Sequence, residues 1–254
     1  MKIYKIASGA VIEHKNQHLL KKVDDWDAFL NRTNLHKVLL DELNGLHVSD
    51  DENLLDILEI PMGTQEIWAS GVTYMRSKEA RMEESKDAGG GTFYDRVYDA
   101  DRPELFFKAT AQRAVPHGGT VRIRKDSGWD VPEPELTLLI SSQGTIEGYT
   151  IGNDMSSRSI EGENPLYLPQ AKTYDACAAL GPCIYVSKEA LPANTRIDLT
   201  IKRNGKIVFE GDVEINKIKR GFDELASFLY RECSFPFGSF LMTGTGIVPG
   251  SEFT

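Results

Sequence analysis

The sequence predicts a mixed α/β protein, mainly β, in which a rolled mixed sheet follows a small N-terminal α+β unit. Three observations lead there. Short alternating or apolar runs recur along most of the chain, as half-buried and buried strands do. Helical periods between those runs are too few for a doubly wound parallel sheet. Asn204-Gly205 between two alternating runs is a strong local hairpin signal.

The opening 62 residues read as a unit of their own. Ile3 to Ile6 and Ala10 to Glu13 alternate as strands, and helical periods run through Trp26 to Leu30 and Leu35 to Leu43. Pro61-Met62-Gly63 punctuates the end, which gives a domain of residues 1–62 and a larger one of 63–254.

The larger unit starts with a buried strand, Ile67 to Val72, and a charged helix from Tyr74 to Lys86 with Thr73 as its cap. That helix has a weak apolar stripe, so it reads as a loosely held lid. Gly89-Gly90-Gly91 then supplies a hinge before a short aromatic helix, Thr92 to Asp99. The remaining expected strands are Leu105 to Lys108, Thr120 to Arg124, a hairpin through Gln143-Gly144, Cys183 to Val186, Arg196 to Lys202, Lys206 to Phe209, and Phe240 to Thr243. One helix, Gly221 to Tyr230, interrupts them.

The central hairpin carries chemistry. Glu133 and Glu135 are two residues apart, so an extended chain projects them from one face. A return strand that pairs Ser142 with Thr145 places Asp154 opposite Glu133 on that face. Pro132 and Pro134 cannot donate to a ladder, which confines them to an edge or a strand entrance. Three such carboxylates suit a hard divalent cation. The plainer explanation is edge-strand charge that deters aggregation.

Composition narrows the partners. A net charge of −9 argues against nucleic acid and anionic membranes. No apolar run reaches the roughly 20 residues that cross a bilayer. Cys177, Cys183 and Cys233 form no C-x-x-C pair and follow no secretory leader. A reduced, cytoplasmic protein is the expectation.

Five ordered motifs then become recognisable: G-V-T-Y at Gly71, E-x-E at Glu133 and Glu135, I-G-N-D-M-S-S-R from Ile151, Q-A-K-T-Y-D around Lys172, and M-T-G-T-G from Met242. Together they resemble the fumarylacetoacetate hydrolase family across about residues 66–254. The resemblance implies that family's mixed β-roll, a homodimer or dimer-based homo-oligomer, and Mg²⁺, with Mn²⁺ or Ca²⁺ substituting, held by Glu133, Glu135 and Asp154. Hydrolases and decarboxylases of the family carry a histidine three residues after the tyrosine, where this chain has Ser77, and no histidine occurs between His47 and His117.

The runs Tyr74 to Arg81 and Arg102 to Lys108 resemble the family's 2-keto-3-deoxy sugar acid dehydratases, in which residues matching Glu104 and Lys172 are associated with dehydration. The expected activity is therefore a metal-dependent hydro-lyase acting on a 2-keto acid, with 2-keto-3-deoxy-D-arabinonate giving 2,5-dioxopentanoate. Lys172 is the candidate base, its pKa lowered by burial and a nearby cation against the opposing pull of the carboxylates, and Glu104 the candidate acid. Arg76, Ser77 and Thr245 are candidate substrate contacts. The rivals are a carbon–carbon hydrolase or decarboxylase of acylpyruvate or oxaloacetate type, and a non-catalytic keto-acid binder. The chain ends at Gly250-Ser251-Glu252-Phe253-Thr254, where the resemblance implies further strands, so a truncated end is expected.

Overall fold

A computed structural model describes residues 1–84, 91–250 and 253. Its first strands are β1 (Lys2–Ile6), β2 (Gly9–His14) and β3 (Gln17–Lys21), followed by helices α1 (Trp26–Leu30) and α2 (Leu35–Glu42) and strand β4 (His47–Ser49). Asp25 caps α1 by accepting from the Ala28 N–H at 2.9 Å. The chain then enters β5 (Glu66–Gly71), α3 (Met75–Glu84), α4 (Gly91–Asp99), β6 (Glu104–Ala109) and β7 (Ala114–Val115).

The second half begins with β8 (Asp130–Val131), β9 (Pro134–Ile140), β10 (Ile146–Asp154) and β11 (Ser156–Ser157). Helices α5 (Arg158–Glu163) and α6 (Leu168–Lys172) follow, then β12 (Ala178–Tyr185), β13 (Arg196–Arg203), β14 (Lys206–Glu214), α7 (Phe222–Leu229) and β15 (Ser239–Met242). An eleven-stranded sheet runs in the order β4-β3-β2-β1-β12-β10-β9-β15-β5-β6, with β7 alongside β12. Its pairs are antiparallel except β15 with β5 and β12 with β7. A mainly β mixed sheet is thus what the strand-rich sequence builds.

The sheet crosses the expected division at residues 62 and 63. β1 pairs with β12, Ile3 opposite Ile184, and Leu30, Leu35 and Leu39 pack in one buried cluster with Leu139, Phe240 and Met242. On the opposite face α7 lays Leu225 and Leu229 against Leu138, Ile140 and Leu241. Each such leucine stabilises by about 2 kcal/mol when fully buried. Because both faces are covered, every residue of β9 is buried, and the carboxylates on its entrance are carried into the interior.

Two local readings hold in detail. Asn204 and Gly205 adopt φ of 51° and 77° between the paired Arg203 and Lys206, the left-handed pair that a two-residue hairpin turn needs. Pro134 is the first residue of β9, where a missing N–H costs little.

Other expectations need correction. Thr120 to Arg124 is not a strand: Arg122 donates one backbone bond to Ala176 at 3.0 Å and Ile123 is exposed, so no ladder forms there. Nor is α3 loosely held in its described part, since Ser77, Ala80 and Arg81 are buried. The Thr73 hydroxyl, expected to cap that helix, donates to Thr243 O at 2.7 Å and ties the start of α3 to the end of β15. Gly89 and Gly90 of the expected hinge lie outside the described residues, and Gly91 opens α4.

Candidate active site

Glu133, Glu135 and Asp154 meet because β9 and β10 pair as their sequence requires, though by an unexpected route. The turn pairs Ser141 with Thr145 through the Ser141 N–H, and Ile146 with Ile140. That is one residue away from the expected pairing of Ser142 with Thr145. A bulge between Ile146 and Gly148 absorbs the extra residue, Glu147, and the strand resumes with Gly152 opposite Glu135. The Asp154 N–H then donates to Glu133 O at 2.9 Å.

Oxygens of the three carboxylates lie within 4.8 Å of one another, and all three residues are buried. An all-oxygen set of this size and charge fits a hard divalent cation such as Mg²⁺. Glu135 needs one most. It accepts the Gly244 N–H at 2.6 Å but has no salt bridge among the described residues, and burial, then Asp154 and Glu133, push its pKa well above the ordinary carboxylate range. Gly244 has a φ of +94°, and a Cβ there would lie 2.0 Å from Thr73 Oγ1, so glycine allows the backbone this close approach.

Four buried cations surround the acids. Lys172, at the end of α6, donates to Glu133 Oε2 at 2.7 Å and to Ser156 Oγ at 2.5 Å, and lies 3.0 Å from Asp154 and 3.2 Å from Glu161. Arg158, at the start of α5, bridges Glu133 and Glu161. Arg81 reaches Glu161 from α3 at 3.0 Å. Lys108, wholly shut from solvent on β6, forms an ion pair with Asp154 at 2.5 Å and donates to Met155 O at 2.9 Å and to Lys172 O. Burial raises Glu133, but Arg158, Lys172 and Arg81 outweigh it and hold the carboxyl at about 2. Glu161 is likewise lowered: burial is outweighed by Arg81, Lys172 and Arg158.

The protein's own charges shift Lys172 upward, against the lowering expected from burial and a nearby cation. Burial lowers its pKa, yet Asp154, Glu133 and Glu161 together outweigh burial and raise it, so its ammonium keeps its proton. Glu104 shows the opposite balance. Burial outweighs the attraction of Arg81 and raises its pKa, favouring the protonated acid. The residue as a whole is partly exposed, but its Oε2 is closed off from solvent.

Ser70, Gly71, Val72, Phe106 and the three carboxylates line a cavity of about 10 Å³ together with Lys172 and Thr245. That is room for about one water. Val72 enters it with a φ of +52°, an outlier for a β-branched side chain and a mark of local strain beside the cavity.

The candidate substrate contacts divide. Ser77 lines the cavity, with its Oγ accepting from the Tyr74 N–H at 3.1 Å and donating to Tyr74 O at 2.7 Å. Thr245 lines it too, its hydroxyl exchanging bonds with Ile247 at 3.1 Å. Arg76 is not among the lining residues, and its guanidinium lies 3.8 Å from Glu79 on the same helix.

Sequence reasoning passed over Arg81, Lys108, Arg158 and Glu161. Lys108 had a usable signal, a lysine inside the apolar run Leu105 to Ala109. So did Arg158 and Glu161, an i,i+3 pair just beyond Asp154.

Comparison with known proteins now bears on this geometry. The fumarylacetoacetate (FAA) hydrolase C-terminal family matches residues 67–252. A Haloferax volcanii protein named "Probable 2-keto-3-deoxyxylonate dehydratase" is 43% identical over 227 residues, covering 89% of this chain and 77% of that protein. The 2-dehydro-3-deoxy-D-arabinonate dehydratase of Saccharolobus solfataricus is 42% identical over 238 residues, covering 90% and 79%. A solved 2-keto-3-deoxy-D-arabinonate dehydratase complexed with magnesium and 2,5-dioxopentanoate superposes with a TM-score of 0.81 at 36% identity, covering 98% of this chain and 89% of that one.

Proposed function

The chain belongs to the fumarylacetoacetate hydrolase family, and from that premise we propose that it is a divalent-metal hydro-lyase converting 2-keto-3-deoxy-D-arabinonate to 2,5-dioxopentanoate. The observation that carries this reading is the buried triad of Glu133, Glu135 and Asp154 with Lys172 against two of its members, in a chain whose relatives at 42–43% identity are named dehydratases.

Glu133, Glu135 and Asp154 would hold the cation. A divalent ion bound there supplies a Lewis acid for the carboxylate and carbonyl oxygens of a 2-keto acid, which acidifies the C3 hydrogens. Lys172 takes one of those protons in this reading. To do so it must first give up its own, and neutralising Asp154 and Glu133 removes the attraction that retains it. The C3–H electron pair forms the C3=C4 bond as the C4–O bond breaks. Glu104, the acid favoured by its surroundings, protonates the departing hydroxyl, which leaves as water. Moving a proton from C5 to C3 then converts the allylic alcohol to the enol of the aldehyde.

Ser77 and Thr245 border the cavity and suit substrate contacts once their present bonds exchange. Arg76 would have to swing in from the outer side of α3. The cavity of about 10 Å³ does not admit a pentonate, so the reading requires the wall carrying Ser77 and Arg81 to move. No described helix is long and apolar enough to cross a membrane. Exposed Ile151 and Tyr185 beside apolar hollows of about 280 and 250 Å³ support a homodimer, and three free cysteines support a reduced, cytoplasmic setting.

Incubation of the Mg²⁺-loaded protein with 2-keto-3-deoxypentonates, oxaloacetate and acetylpyruvate tests the activity. Dehydration yields an aldehyde with all carbons retained. Release of carbon dioxide or formation of two acids would replace this reading with decarboxylation or hydrolysis, and thermal stabilisation without product would indicate a binder.

A further inference from the structure

We propose that Gly71 is a positioning residue for Glu104: its missing side chain is the passage through which the Glu104 carboxyl crosses strand β5 to reach the reacting face. This rests on the reading of Glu104 as the proton donor. Gly71 and Glu104 stand directly opposite each other in the antiparallel pair β5–β6, so side chains at the two positions leave the same face of the sheet. β6 is the edge strand; beyond β5 lie β15 and then β9, which carries Glu135. A carboxyl on β6 must therefore pass over β5 to approach the acids.

It passes at Gly71. A Cβ built on Gly71 would lie 1.9 Å from Glu104 Oε2 and 2.6 Å from Cδ. Gly71 is absent from the positive-φ positions, so its φ does not demand a glycine. What excludes a side chain is the Glu104 carboxyl itself. That carboxyl is fixed at its root by Ser70, whose Oγ donates to Glu104 O at 3.0 Å. At its tip Oε2 is buried with no hydrogen-bond partner among the described residues. Arg81 and Lys172 attract the carboxyl, and the empty volume above Gly71 gives it the room to lie toward them. Gly71 also borders the cavity shared with Glu133, Glu135 and Lys172.

In the step at stake, the Glu104 carboxyl proton passes to the C4 oxygen as the C4–O bond breaks, leaving water and a carboxylate. An alanine at position 71 pushes the flexible end of Glu104 aside without touching a metal ligand. In the Mg²⁺-loaded full chain, Gly71→Ala should lower kcat for dehydration about a hundredfold, the scale of a lost general acid, with KM and Mn²⁺ affinity held within about threefold. The double variant Gly71→Ala/Glu104→Asp shortens the acid by one methylene and restores the room. It should regain at least about tenfold in kcat over Gly71→Ala, whereas Glu104→Asp alone slows the enzyme.

Wild-type kcat in Gly71→Ala overturns the proposal, as does a joint loss of kcat, Mn²⁺ affinity and thermal stability that Glu104→Asp does not repair. Glu104→Gln separates this from the underlying reading. Full turnover in Glu104→Gln removes the donor role itself, while an inactive Glu104→Gln beside an active Gly71→Ala removes only the role of Gly71.

Discussion

Glu133 and Asp154 face each other across β9 and β10 through a register that the connecting turn does not by itself provide. The turn is one residue out, and the bulge at Glu147 restores the pairing seven residues before it is needed at the Asp154 N–H. Glu147 is also tied to its surroundings, accepting from Leu35 N at 2.8 Å and from Thr145 Oγ1 at 2.5 Å. Deleting Glu147 should remove the bulge and leave Asp154 opposite Glu133. Calorimetry should find Mn²⁺ affinity within about threefold of wild type, with a melting temperature lowered by the lost bonds, each worth about 1 kcal/mol. A folded variant that no longer binds Mn²⁺ would contradict this register.

The metal-free protein should lose stability as the solution becomes alkaline. Glu135 is held well above its ordinary value by burial, Asp154 and Glu133. The folded state therefore binds a proton that the unfolded state has released above about pH 4.5. Stability falls as pH rises from there through the folded value. Glu133 acts in a separate window, its contribution being lost only as pH falls from about 4.5 toward about 2. Melting in EDTA should thus be higher at about pH 5.5 than at pH 8. Added Mn²⁺ or Glu135→Gln should shrink the gap, and an unchanged gap in both would contradict the assignment.

Lys108→Met should be costly without touching the proposed chemistry directly. Its three ammonium contacts go to Asp154, Met155 O and Lys172 O in a site sealed from solvent. Breaking one side of such a buried pair leaves an uncompensated charge and costs about 3–5 kcal/mol. Urea unfolding of the metal-free variant measures this. A loss below about 1 kcal/mol would mean that the contact is replaced by solvent.

Lys172→Met and Glu104→Gln should each reduce turnover of 2-keto-3-deoxy-D-arabinonate by about a hundredfold or more. Glu104→Gln should also melt higher than wild type at pH 8 and converge with it near pH 4. Burial raises the Glu104 pKa, so its ionisation costs stability as pH climbs past the ordinary value. Turnover near wild type in either variant excludes that residue from the mechanism.

Much of this could be read from residues alone where local rules govern. The left-handed turn at Asn204-Gly205, the strand entrance at Pro134 and the shared face of Glu133 and Glu135 each depend on a few neighbouring atoms. Long-range packing was less visible. Thr120 to Arg124 alternates as a strand should, yet no neighbour offers it a ladder, and alternation carries no information about partners. Arg81 looks like one charge among many on α3 until Glu161, eighty positions later, meets it inside the protein. The raised pKa of Lys172 is of the same kind, because it sums carboxylates from β10, α5 and the link before β9.

Crystals soaked in Mn²⁺ and measured at the manganese absorption edge test the central claim most directly. The predicted result is one strong anomalous peak among the carboxylates of Glu133, Glu135 and Asp154, absent in Asp154→Asn crystals. Density without a peak there, and with Glu133 and Asp154 still paired to Lys172, Arg158 and Lys108 alone, would contradict it.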